Sequence, residues 1–157
     1  MKITTNKKDL QFKCEDVNFT EGLKIAKQLK QVVLFGKNKD CVGLAHNQIK
    51  GNKNVFIAKI NNIWRTFINP EITFYDYNCG KKTFLHQESC MSFPNKSNKV
   101  LRYNKIELTH QIKARNDNYG NAFKVELFYN FNACIIQHEI DHLNGIHIFN
   151  KKEKNEK

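Results

Sequence analysis

Between Asn18 and about Phe35, apolar residues recur at spacings of three and four, placing Leu23, Ala26, Leu29 and Val33 on one face and predicting an amphipathic helix. Asn18 with Glu21 three residues on reads as a capping box, and Gly36 followed by Lys-Asn-Lys-Asp as the stop. From Asn54 to about Lys113 the pattern shortens to β-prone runs, VFIAKI, WRTFI, ITFYDY and KIELTHQIKA. Turn-like stretches separate them at Asn61-Asn62, Asn69-Pro70 and Asn78 to Gly80. Asp117-Asn118-Tyr119-Gly120 reads as a further turn, followed by a strand over AFKVELF. Helical spacing then returns from about Tyr129 to Asn144, where Gly145 is placed to end the helix. The order helix, strands, helix predicts an α+β domain, with mixed or antiparallel strands packed around the second helix.

Composition narrows this to one domain. A chain of 157 residues, 40% hydrophobic and 26% charged, has ordinary globular usage, and we assign residues 1–150 to a single domain and 151–157 to a short, charged, solvated tail. No run approaches the roughly 20 apolar residues of a membrane span, and the N-terminal lysines have no apolar block behind them, so no membrane association or export is expected. Five irregularly spaced cysteines do not form a disulfide framework and fit a reducing compartment. The net charge of +11 and pI near 9.5 come from lysines spread along the whole chain rather than from one basic stripe with aromatics, so no specific DNA binding is expected.

The densest chemistry lies in QHEIDHLNG, residues 137–145. His138 and His142 are four apart, hence one turn apart on the same face of a helix, where both can bind one ion. Glu139 follows the first histidine, so its carboxylate can reach a water at the metal without being a ligand. Three fixed positions also arise by chance, and a third ligand is required. His147 follows Gly145 too closely to supply the downstream histidine of the familiar protease extension. Cys90 in QESCMSFP is the upstream candidate, whereas Cys14 and Cys134 read as buried apolar residues. One thiolate and two imidazoles make a three-ligand site with an open position, suited to zinc or ferrous iron. Phe131, Cys134, Ile135 and Val42 can line an apolar pocket beside it, and each equally fits a plain core position.

Three ordered motifs then match the peptide deformylases: CVGLAHNQ at 41–48 resembles the family's G-apolar-G-apolar-A-A-P-Q, ESCMS at 88–92 its E-G-C-x-S, and QHEIDHLNG its Q-H-E-x-x-D-H-L. FINPEI at 67–72 and VLR at 100–102 resemble flanking segments, so the likeness covers about residues 40–150. The resemblance implies hydrolysis of the formyl group from N-terminal formylmethionine on nascent peptides, in a bacterial-type cytosol, an organelle or a virus-infected bacterial cell. It implies one divalent metal ion on Cys90, His138 and His142, ferrous iron in the cell with zinc or nickel able to substitute. It implies Glu139 as general acid and base, with the Gln48 side-chain amide and the Met91 N–H as oxyanion donors. Peptide backbone is expected to add as a strand beside the first motif at Val42 and Gly43, with Ser89 also at the substrate. A monomer with transient ribosome contact is expected. The chain departs from the pattern at Cys41, at His46-Asn47 and at Ser89, the last in place of glycine; if position 89 needs a positive φ, serine there is strained. Only twelve residues follow Gly145, so a compact form lacking the long C-terminal helix is expected.

Overall fold

The computed structural model describes residues 2–36, 40–75, 83–114 and 122–151. Helix α1 spans Phe19–Phe35, and the Asn18 side chain accepts a hydrogen bond from the Glu21 N–H at its start. Its buried face is Gly22, Ile25, Ala26, Leu29, Val32 and Val33, whereas Leu23 is 48% exposed, contrary to expectation. The cause is a close approach: a Cβ on Gly22 would lie 2.7 Å from Ile68 Cγ2, so the helix seats its glycine on the sheet and turns Leu23 outward. Gly36 closes the helix with an extended backbone, φ −80°, rather than a left-handed one.

The main sheet is wholly antiparallel, in the order β1-β2-β3-β6-β7. Its strands are β1 Gly43–Ala45, β2 Val55–Ile60, β3 Ile63–Tyr75, β6 Lys105–Ile112 and β7 Ala122–Tyr129. β4 (Thr83–Ser89) and β5 (Ser97–Tyr103) form a separate ribbon. Asn61 and Asn62, at φ 49° and 65°, make the two-residue hairpin between β2 and β3.

Asn69-Pro70 is not a turn. WRTFI and the start of ITFYDY belong to one strand, β3, whose register to β6 slips between Ile68 and Glu71. Asn69 takes φ 47°, its Oδ1 accepts from the Val17 N–H, and its Nδ2 donates to the Val17 carbonyl and Gln111 Oε1, replacing ladder bonds the proline cannot make. β4 and β5 escape a pattern reading because most of their residues are exposed or half-buried, leaving little apolar alternation.

β2 explains the core. Its alternate residues serve two layers: Val55 and Ile57 pack with α1, while Phe56 and Ala58 pack with Phe67, Leu108, Phe128 and the inner face of the second helix, α2, Asn130–Leu143. Covered on both faces, it reads as a nearly continuous apolar run, VFIAKI, interrupted only by Lys59. Gly145 ends α2 at φ 74°, where a Cβ would also meet the Phe12 backbone N at 2.9 Å. The expected turns at Asn78–Gly80 and Asp117–Gly120, and residues 152–157 of the tail, lie outside the described residues. Lys151 lies inside them and is anchored, its Nζ 2.6 Å from Asp141 Oδ2. Among the described residues, no helix is long and apolar enough to cross a membrane.

Candidate metal centre

α2 sets His138 and His142 one turn apart with ring centroids at 4.9 Å. Cys90 arrives at the end of β4, in a turn closed by the Phe93 N–H donating to its carbonyl at 2.9 Å. One donor atom from each of the three residues lies within 4.8 Å of the others, the one such group among the described residues, and Cys90 Sγ is 3.2 Å from His142 Nε2. His46, one of the departures from the family pattern, is not part of this group: its Nδ1 accepts from the Lys53 N–H.

A buried polar network holds the ligands. Glu88 Oε2 lies 2.8 Å from His138 Nδ1, which leaves Nε2 for an ion. Arg102, fully buried, donates to both Glu88 oxygens at 2.5 and 2.7 Å and to Asp141 Oδ2 at 2.5 Å, and Lys151 shares that aspartate. Asn47 Nδ2 donates to the His142 carbonyl. Burial pushes the Glu88 carboxyl up, but hydrogen bonds from Arg102 and His138 outweigh it and pull it down to about 2. Burial, then the neighbouring His138, lower His142 well below the ordinary imidazole range, so it is the neutral base a metal needs. For His138 burial acts in the same direction, yet Cys90 and Glu88 overcome it and draw positive charge to that ring. A largely buried cluster of one sulfur and two imidazole nitrogens, backed by a carboxylate, fits a divalent cation.

Glu139 lines one cleft with Cys90 and His138 and is 3% exposed, with Oε2 making no hydrogen bond to protein. Burial raises its carboxyl to about 7, with His138 opposing, so it can take and release a proton near neutrality. Gly43 makes room for it, because a Cβ there would overlap the Glu139 carboxyl group. Gly43→Ala should therefore displace that carboxyl and cut turnover by about 100-fold, on the order of a misplaced catalytic group, with little change in thermal midpoint; a kcat within threefold of the parent would refute the contact.

The cleft of about 160 Å³ is lined by Val42, Gly43, Gln48, Ser89, Cys90, Met91, Phe131, Cys134, Ile135, His138 and Glu139, which gathers every sequence-nominated site residue except His142, set deeper. Gln48 is pinned: its Oε1 accepts from the Ala45 N–H at 2.8 Å while Nε2 points at Cys90 Sγ (3.6 Å) and Ser92 Oγ (3.3 Å). Cys134 and Ile135 are both buried and line the cleft, while Phe131 stands 55% exposed at the rim. The Val42 carbonyl already accepts from the Lys59 N–H, so it has a partner before any peptide arrives. Ser89 ends β4 without a positive φ, which removes the strain considered for serine there.

Glu88, Arg102 and Asp141 lay inside quoted motifs without a role, and His86, Asn47 and Lys151 were not read as site residues. Glu88 and Arg102 are inward charged residues of otherwise exposed strands, so apolar alternation carries no signal for either. His86 lines the cleft between Phe84 and Phe131.

The sequence model described as polypeptide deformylase matches residues 2–157. A peptide deformylase of Clostridium botulinum is 34% identical over 136 residues, covering 87% of this chain and 84% of that protein. The crystal structure of peptide deformylase from Thermotoga maritima superposes with a TM-score of 0.74 at 29% identity, over 91% of this chain and 90% of that one. A probable peptide deformylase from Synechococcus phage S-SSM7 gives 0.76 at 28% identity, over 94% and 96%.

Proposed function

The chain belongs to the polypeptide deformylase family, whose reaction is metal-dependent removal of the N-formyl group from nascent polypeptides, and we propose that Cys90, His138 and His142 hold the metal while Glu139 moves the proton. The observation that carries this reading is the meeting of the three donor atoms within 4.8 Å, with a buried carboxylate lining the same cleft. Ferrous iron is the ion we assign for the cell, with zinc and nickel able to use the same donors. When bound, the ion supplies Lewis acidity that makes water more acidic and withdraws charge from the formyl oxygen.

The rest falls to the chain's own residues. Glu139 accepts a proton from the attacking water and returns it to the departing amine nitrogen, which leaves formate and a free N-terminus. Gln48 Nε2 and the Met91 N–H donate to the oxyanion that develops on the formyl oxygen. The hydrogen bond from the Ala45 N–H to Gln48 Oε1 fixes the amide so that Nε2, not the carbonyl, faces the reaction. Phe131, Cys134 and Ile135 take the methionine side chain, with Ser89 and the backbone of Val42 and Gly43 at the peptide. β1 is the terminal strand of its sheet, so a peptide can extend that sheet by one strand. The charge of +11 favours transient contact with the anionic ribosome in a bacterial-type cytosol or organelle.

The test is anaerobic formate release from formyl-Met-Ala-Ser. Ferrous-loaded protein should turn over, chelation should abolish it, and added iron, nickel or zinc should restore it in part or whole. Formate release that survives complete chelation, or none from a folded, loaded protein, would defeat the assignment.

A further inference from the structure

β7 ends the main sheet opposite β1, and among the described residues no strand pairs with its outer edge. On its outer face Phe123, Val125 and Leu127 are 58%, 58% and 47% exposed. α1 covers that side of the sheet only over β1 to β3, through Leu44, Val55, Ile57 and Ile68. The core side of β7 carries Lys124, Glu126 and Phe128, with Lys124 Nζ 3.0 Å from Glu126 Oε1. A lengthy apolar edge strand of this kind is a template for another strand.

We propose that β7 is the interface for a second copy of this chain, pairing antiparallel about a twofold axis at Val125, in place of the monomer expected from sequence. Among axes at Lys124, Val125 and Glu126, the strand selects the middle one by charge. A twofold axis normal to the sheet keeps each side chain on its own face, so the axis must pass through one residue. An axis at Lys124 sets that ammonium against itself, and one at Glu126 sets two carboxylates together, both unfavourable. An axis at Val125 sets Lys124 beside Glu126 of the second copy, twice. On the outer face it sets Phe123 against Leu127, twice, and Val125 against Val125, making a continuous apolar strip. Arg65 Nη2 and His110 Nε2, at 2.5 and 2.8 Å, hold Glu126 in place, so one partner of each ion pair is already ordered. The contact is small, which places it among weak, concentration-dependent interfaces.

Sedimentation velocity on the full, metal-loaded chain tests this at about 0.15 M salt, where charge repulsion between copies is screened beyond about 8 Å. The weight-average mass should climb from 18.5 kDa towards twice that value as concentration rises through the micromolar range. Val125→Lys and Lys124→Glu should each weaken association at least about tenfold, with formate release per chain unchanged, since neither residue lines the cleft. A mass that stays monomeric up to about 500 μM would overturn the proposal. Dissociation by Val125→Lys with none by Lys124→Glu would also overturn it, because that pattern belongs to face-to-face packing without strand pairing.

Discussion

Glu139→Gln is expected to lower formate release by about 10²–10⁴-fold, the usual contribution of a positioned general acid and base, while the metal stays bound and the fold stays intact. Glutamine keeps the shape that Gly43 accommodates but cannot carry a proton, and Glu139 is not among the three donors that converge. Metal content by elemental analysis and the thermal midpoint should therefore match the parent. Burial without a protein partner for Oε2 makes the neutral amide easier to bury than the carboxylate, so a slight gain in stability is the expected direction. Turnover within tenfold of the parent would remove Glu139 from the chemistry. Loss of metal together with activity would instead make it structural.

Arg102→Met should have the opposite signature, with stability and metal affinity falling together. The side chain is fully buried and holds two carboxylates, so removing it leaves the largely buried Glu88 with only histidines, His138 and His86, beside it and Asp141 with Lys151. Breaking a buried pair from one side costs about 3–5 kcal/mol. For a chain of this size that lowers the melting midpoint on the order of 10 °C. Glu88 also orients His138, and loss of such outer support costs about 10- to 100-fold in metal affinity. The acid limb should change as well. Glu88 is held at about 2, below its ordinary value of about 4.3, so its stabilisation is complete above that value and is lost as pH falls towards 2. In the variant only His138 still draws the carboxyl down, so this acid-sensitive increment should shrink and the loss of stability between about pH 4.3 and 2 should be shallower. Equal melting midpoints for variant and parent would show that the network carries no net stability.

The contrast between these two residues also explains what sequence could reveal. Glu139, His138 and His142 share one helix turn, where spacing alone dictates geometry. The pairing of α1 with its cap, the Asn61-Asn62 hairpin and the glycine stop after α2 were legible for the same reason, since each rests on neighbours in the chain. Leu23 was misplaced because the face of a helix is set by what it meets, here Ile68 against Gly22, and that partner lies far along the chain. Asn69-Pro70 was misread as a break because a bulge and a turn use the same residue types, and only the distant Val17 and Gln111 decide between them. The Arg102 network was invisible for a further reason: a buried cation on a mostly exposed strand contradicts the usual pattern, and its partners come from β4, α2 and Lys151.

Cys90 and His142 meet across 52 residues of sequence, and Gln48 reaches Cys90 across 42. No short stretch of the chain holds more than part of the site, so it cannot assemble until α2 has been synthesised and packed against the sheet. During translation the sulfur of Cys90 therefore emerges well before the imidazoles that share its ion, and must stay reduced and unclaimed by stray metal over that interval. Maturation is thereby tied to the slowest class of folding contact, long-range docking, and not to the local helix that bears two of the three ligands.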